Sequence, residues 1–231
     1  MEPWRIVDEV GPASNIHANP MRYADQRTAR FVNVTRSALV LGSSQDPNEI
    51  DRESLIRKGV ELVIRKSGGG AVFLSPNGQL WVDIAIPKGD KYFRCDVSES
   101  FEIIGEIFLQ ALSDLGTEDL QMHAGRLLGS EIAKKVCFAG LGPGEITFEG
   151  AKVVGISQRR TSLGSVFQCT VYVRYPFAEL LELMPGCASA SPGRGYALGL
   201  AEISQDLADR ENTFVISGLR KRLLEALTTL D

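Results

Sequence analysis

Histidine is scarce in this chain, with two residues in 231, and the four cysteines, Cys95, Cys137, Cys169 and Cys187, are scattered without a CxxC pair. A structural zinc site needs several ligands at short, paired spacings, so none is expected. Free thiols in a reducing cytosol are the default, and a cytoplasmic location is the corresponding expectation. Basic residues are not in excess. The net charge is −4 with a pI near 5.4, which argues against a nucleic-acid partner. Long apolar runs are missing too and mean hydropathy is −0.02, so no membrane span is expected. The opening MEPWRIVDEVGP is acidic at its second residue and has no continuous apolar stretch, so no signal peptide is expected there. No repeat or low-complexity linker interrupts the chain.

What is present suits one sizeable core, since 44% of the residues are hydrophobic. A single domain over residues 1–231 is predicted, with a loop and helical tail at 177–231. The first 45 residues read as strand, loop and strand, with ALVL at 38–41 an apolar run. Asp51 is placed to cap a short helix that Gly59 ends. ELVIR at 61–65 is a short β-branched strand. After SGGG come AVFL, a Pro-Asn-Gly turn and LWVDIAI, a quick succession of strands. The apolar spacing of Phe101, Ile104, Ile107, Phe108, Ala111, Leu112 and Leu115 predicts a helix from Asp96 to Leu115. Residues 117–135 read as irregular. EITF, KVVGISQ and VFQCTVYV follow as an antiparallel set, 185–200 as a loop, and Ile216 to Leu230 as a last amphipathic helix. The mixture predicts an α+β fold, with a mixed, mostly antiparallel sheet flanked by helices.

Gly68, Gly69 and Gly70 stand between two strands, directly after Arg65, Lys66 and Ser67. Glycines in series let backbone N–H groups approach a ligand oxygen, and the two cations add positive charge beside them. A plain hairpin turn is the competing reading. The loop lacks the Lys-Ser/Thr and following helix of a P-loop, and it opens no helix as a dinucleotide fingerprint does.

The run RKSGGGAVF is similar to the triple-glycine signature of the lipoate–protein ligase and octanoyltransferase family. GSSQ, ending at Gln45, resembles that family's Gly-x-x-Gln element, and AKVVGISQRR, Ala151 to Arg160, resembles its second signature. The resemblance implies a catalytic domain of the class II aminoacyl-tRNA synthetase and biotin ligase type. It also implies an enzyme that attaches lipoyl or octanoyl groups to a lysine of a carrier protein, such as a lipoyl domain or the glycine cleavage H protein. Lys152 matches the family's essential lysine. Arg65, Gly68, Gly69, Gly70 and Ala71 match the loop, Gly155 and Ser157 the small residues behind the lysine, with Gln158 and Asn77 further candidates for binding substrate or nucleotide. Two departures bear on nucleotide binding. The family's His-Asp pair after the loop strand is Leu74 and Ser75 here, and its asparagine falls at Gly78, with Asn77 one position early.

Read from physics, a lysine opening a strand after a turn is ordinarily a solvated charge. Alternation along the strand puts Lys152, Val154, Ile156 and Gln158 on one side, an apolar wall with polar ends that suits an acyl chain and its carbonyl. An ammonium fixed there stabilises charge developing on the carbonyl oxygen. Arg159 and Arg160 are expected to face solvent. Asp83 is either wet at an edge or partnered inside.

Two chemistries fit. An ATP- and Mg2+-dependent ligase makes an acyl-adenylate from lipoic or octanoic acid and passes the acyl group to the carrier; this is the first expectation. A transferase needs no such cofactor. It takes octanoyl from acyl carrier protein onto a cysteine, and Cys137 in VCFAG, or with less support Cys187 in MPGCAS, resembles the position used. Both cysteines are equally readable as small buried residues. Biotin ligation and a non-catalytic acyl-binding or partner subunit remain as alternatives. The short stretch after residue 176 does not suffice for the accessory domain that many ligases carry.

Overall fold

The computed structural model describes residues 4–21, 26–129, 131–187 and 196–229. In chain order the elements are β1 (Arg5–Gly11), α1 (Ala13–Ala18), β2 (Thr28–Val34), β3 (Ala38–Leu41), α2 (Arg52–Lys58), β4 (Glu61–Ile64), β5 (Val72–Leu74) and β6 (Gln79–Pro87). They continue with α3 (Val97–Asp114), β7 (Leu120–Met122), α4 (Glu131–Lys135), β8 (Ile146–Phe148), β9 (Ala151–Thr161) and β10 (Gly164–Tyr172). The last are α5 (Phe177–Leu183), α6 (Leu200–Ile203), α7 (Gln205–Ala208) and α8 (Asn212–Thr229).

A seven-stranded sheet runs β1-β2-β6-β10-β9-β8-β7, and a three-stranded sheet runs β4-β3-β5. Only β1–β2 and β3–β4 pair in parallel; the other ladders are antiparallel. The predicted α+β class with a mixed, mostly antiparallel sheet is the one observed. Among the described residues no helix is long and apolar enough to cross a membrane.

Local chemistry explains the helix ends. The Asp51 carboxylate accepts from Ser54 N at 3.0 Å, and Gly59 closes α2 at φ +62. The Asp96 carboxylate accepts from Glu99 N at 3.0 Å and starts α3 where the apolar spacing begins. One face of the large sheet is covered by α3 and α8, with Val82, Ile84, Ile156, Phe167 and Cys169 packed against Ile104, Phe108, Leu219, Leu223 and Leu227. Each fully buried leucine there contributes about 1.5–3 kcal/mol relative to exposure. The small sheet and α1 cover the other face, through Val40, Leu74, Ile16 and Trp81.

Two expectations need correcting. The region 117–135 contains β7 and α4, pieces too short for periodicity to reveal. The amino-terminal segment adds α1, a single turn and a half with no capping side chain. The predicted last helix is present as α8 and packs into the main core. Of the loop read at 185–200, residues 188–195 lie outside the described residues.

Candidate active site

Between the two sheets lies a cavity with about 460 Å³ of non-atom space, its open mouth included. The small sheet contributes Val40, Val72 and Leu74, and the large sheet Trp81, Gly155, Ser157, Gln168 and Thr170. Cross-strand register explains the second set: Thr170 pairs with both Trp81 and Gly155, and Gln168 with both Asp83 and Ser157, so these residues share one face. Ile156, Arg65, Cys137, Phe138 and His17 complete the wall.

The glycine loop is built around Arg65. Its buried guanidinium donates to the carbonyls of Gly68 and Gly70, both at 2.8 Å, which holds those oxygens inward. Burial pushes its pKa down, and the neighbouring Cys137 thiol and Tyr172 hydroxyl oppose that. Gly70 is needed for close approach, since a Cβ there would come within 2.6 Å of Cys137 N and Val136 C. Ala71 continues that contact, donating to Lys135 O at 2.7 Å and accepting from Cys137 N at 3.0 Å. Gln45 ties the same region to β3, accepting from Gly42 N at 2.9 Å and donating to Lys135 O at 3.0 Å. The glycine loop and the Val136–Cys137 segment are thus one hydrogen-bonded unit.

Lys152 is buried, and its Nζ lies 2.7 Å from Glu145 Oε2 and 3.0 Å from Cys137 O, with the Phe138 ring centroid 5.4 Å away. Its backbone is clipped from the far end of the chain: Lys152 N donates to Tyr196 O and Leu198 N donates to Lys152 O, both at 2.9 Å. Glu145 went unnoticed in the sequence, although it anchors the whole arrangement. Its carboxylate also accepts from Gly142 N at 2.6 Å and Ile156 N at 2.9 Å. Those partners come together only through the turn before β8 and the pairing of β8 with β9, so a lone Glu in EITF gave no signal.

The predicted face of β9 is corrected by a bulge. Opposite β8, Thr147 pairs with Lys152 but Ile146 pairs with Val154, so β9 holds one extra residue there. Lys152 therefore shares its side with Gly155 and Ser157, and Phe138 lies against both Lys152 and the open side of Gly155. Val154 and Ile156 pack in the core with α3, Ile156 also bordering the cavity between Gly155 and Ser157, and Gln158 donates to Ser100 Oγ of α3 at 2.9 Å.

The remaining candidates separate. Asn77 is exposed, at φ +55, beside a different groove with Asn33, Gln79 and Arg220, and does not line the cavity. Cys187 is buried in the packing of Leu183 and Met184, off the cavity wall, and burial pushes its thiol up against the opposing pull of Lys135. Cys169 is buried and pushed well above its ordinary range by desolvation. Cys137, half-buried, is the cysteine on the wall. Arg159 is exposed, whereas Arg160 folds back, donating to Arg94 O at 2.7 Å over the Phe93 ring.

An outer chamber adjoins the cavity at His17 and Gln168, rimmed by Lys66, Ser67, Asp83 and Arg159. Asp83 is partnered inside: it pairs with Arg30 and accepts from Trp81 Nε1 at 2.8 Å. Burial raises its pKa, and Arg30 opposes. His17, whose ring stacks 5.0 Å from that of Trp81, is lowered to about 4 by burial and by the Arg65 and Arg30 cations. It also went unseen, as a lone histidine in a six-residue helix.

Comparison with known proteins adds the following. Residues 15–193 match the family model of the lipoyl protein ligase A/B catalytic domain. No match is found among curated proteins. A Thermoplasma acidophilum structure with bound lipoic acid superposes with a TM-score of 0.71 at 16% identity, covering 98% of this chain and 86% of that one. The bi-partite lipoate protein ligase of that organism, described with its lipoyl domain, gives 0.69 at 16% identity, covering 99% and 85%. A lipoate-protein ligase A bound with ATP gives 0.68 at 17% identity, covering 98% and 86%. At these identities the structures speak for the fold.

Proposed function

The chain belongs to the lipoyl protein ligase A/B catalytic domain family, and from that premise we propose that it attaches a lipoyl or octanoyl group to a lysine of a carrier domain, with Cys137 holding the acyl group in transit. One observation carries the second half: the Cys137 thiol stands on the apolar cavity wall beside Arg65, and its own carbonyl is bonded to the Lys152 amine.

The cavity takes the acyl chain, apolar in its walls of Val40, Val72, Leu74, Trp81 and Phe138. The Cys137 sulfur attacks the carbonyl carbon of an octanoyl thioester on acyl carrier protein. A new C–S bond forms, the donor's C–S bond breaks, and the donor leaves as a thiol carrying the proton. The carrier lysine's amine then attacks the Cys137 thioester; a C–N bond forms, the C–S bond breaks, and the amine's proton returns to sulfur. Negative charge develops on the carbonyl oxygen in both steps. The Arg65 guanidinium on the cavity wall meets it, while Lys152, paired with Glu145, holds the Cys137 main chain through its carbonyl.

A second reading is ATP-dependent ligation through an acyl-adenylate. It is favoured by the outer chamber, whose Lys66 and Arg159 rim suits phosphate, and by the fold shared with a ligase that binds ATP. Among the described residues no three His, Cys, Asp or Glu side chains cluster, and Asp83 is already held by Arg30 and Trp81, so in this reading Mg2+ would be carried chiefly by the nucleotide's phosphates.

The two readings separate by intact-protein mass spectrometry after incubation with octanoyl acyl carrier protein. Cys137 chemistry predicts one acyl adduct, removed by hydroxylamine, lost in Cys137→Ser and indifferent to ATP. Carrier modification that needs lipoate and MgATP and survives Cys137→Ser would establish ligation instead.

A further inference from the structure

The acyl cavity has two ends. At one stand Cys137 and Phe138, with the Phe138 ring packed over Gly155 of β9. At the other stand Trp81 of β6 and His17 of α1, their rings stacked with centroids 5.0 Å apart and planes inclined by 25°. Strand register measures the interval between them. Gly155, Thr170 and Trp81 pair in one row across β9, β10 and β6, so the row covers two strand spacings, about 10 Å. An extended eight-carbon acyl chain has a similar span, about 9 Å for a zigzag of C–C bonds of about 1.5 Å.

We infer that the stacked His17–Trp81 pair is the end plate of the acyl cavity and determines the chain length the enzyme accepts, about eight carbons. Three features support this role. The Trp81 ring is pinned, because its Nε1 donates to Asp83 Oδ1 at 2.8 Å and Asp83 is itself paired with the buried Arg30. The His17 ring is uncharged at neutral pH, lowered to about 4 by burial and by the Arg65 and Arg30 cations, so the last methyl of the chain meets no charge there. Behind His17 there is space and not packed core. His17 and Gln168 line both this cavity and the outer chamber, which holds about 440 Å³ of non-atom space. The histidine is thus a partition, and shortening it joins the two spaces.

The inference rests on the acyl-transfer reading above, since Cys137 fixes which end of the cavity holds the carbonyl. Wild type and His17→Ala are each incubated with an equimolar mixture of acyl carrier proteins bearing eight-, ten-, twelve- and fourteen-carbon chains. The adducts on Cys137 are compared by intact-protein mass spectrometry. Wild type is expected to favour eight carbons over twelve by about tenfold or more, the discrimination that a closed apolar pocket gives against added methylenes. In His17→Ala that preference is expected to fall by about tenfold or more, because longer chains run on into the outer chamber. A merely structural role for His17 lowers every adduct alike and leaves the ratio where it was, which overturns the inference while Cys137 is still acylated. A wild type that takes twelve carbons as readily as eight overturns it too. If Cys137 takes no acyl group from any donor, the acyl-transfer reading fails and this inference with it. Should His17→Ala not fold, Trp81→Phe, which trims the same plate, decides by the ratio of ten carbons to eight.

Discussion

Replacing Gly155 by alanine adds one methyl group to the cavity wall. The added Cβ would stand 2.8 Å from Cε2 and 2.9 Å from Cζ of Phe138. Carbon atoms in good contact are about 3.5–4.0 Å apart, so the ring must retreat by roughly 1 Å. Little room lies behind it. The ring is 98% covered (2% exposed), with the Tyr172 ring centroid at 5.0 Å and that of Tyr175 at 5.6 Å. Overpacking of this kind costs about 1–3 kcal/mol. Phe138 also sits in the same 3-10 turn as Cys137, Cys137–Ala139, so its retreat moves the thiol and the carbonyl that holds Lys152. A reacting group misplaced by about 1 Å loses on the order of 10²-fold in rate. Urea unfolding measures the first effect and the rate of carrier acylation the second. Gly68→Ala is the control, because nothing lies within 4 Å of its added Cβ; its stability should stay within about 0.5 kcal/mol of wild type. A Gly155→Ala protein as stable and as active as wild type would show that Phe138 does not set the geometry of the site.

Gly42→Ala should disable the glycine loop, because its Cβ would come 1.9 Å from the Gly69 carbonyl oxygen, a backbone atom with no rotamer to change; carrier acylation reduced by less than roughly tenfold would contradict this. His17 gives a pH signature. Its folded value of about 4 lies below the ordinary 6.5, so the unfolded chain binds a proton between those values that the folded chain refuses. Stability contributed by the neutral ring is complete above about 6.5 and is lost as pH falls towards 4, by up to about 3 kcal/mol. In His17→Gln the fall across that window should shrink by this amount in urea titrations, and an unchanged fall would remove His17 from the account.

The long elements and the glycine loop were legible because their signals are local. Asp96, Glu99 and the apolar spacing of α3 lie within one helix, and RKSGGG is contiguous. Lys152 was legible as a candidate by its place in AKVVGISQRR, but its surroundings were not. Alternation assigned Val154, Ile156 and Gln158 to its side, and a single extra residue opposite β8 reversed them. A bulge leaves no mark in an apolar run, because Val153 and Val154 are both acceptable facing the core. Glu145 and His17 were missed for a related reason. Their partners, Lys152 and Gly142 for one and Trp81 for the other, are brought together only by sheet register and turns. Asn77 was placed by alignment of a short motif, and the turn that carries it opens on another groove.

The clip on Lys152 has a consequence for how the protein is made. The strand holding this lysine forms its hydrogen bonds to Tyr196 and Leu198 only when those residues are available, some forty positions later in translation. A nascent chain that has left the ribosome as far as residue 190 therefore has its glycine loop, its cysteine and both partners of the Lys152 amine, but this edge of the Lys152 backbone is still unpaired. The strand under the reactive centre is braced late in synthesis, once Tyr196 and Leu198 have emerged.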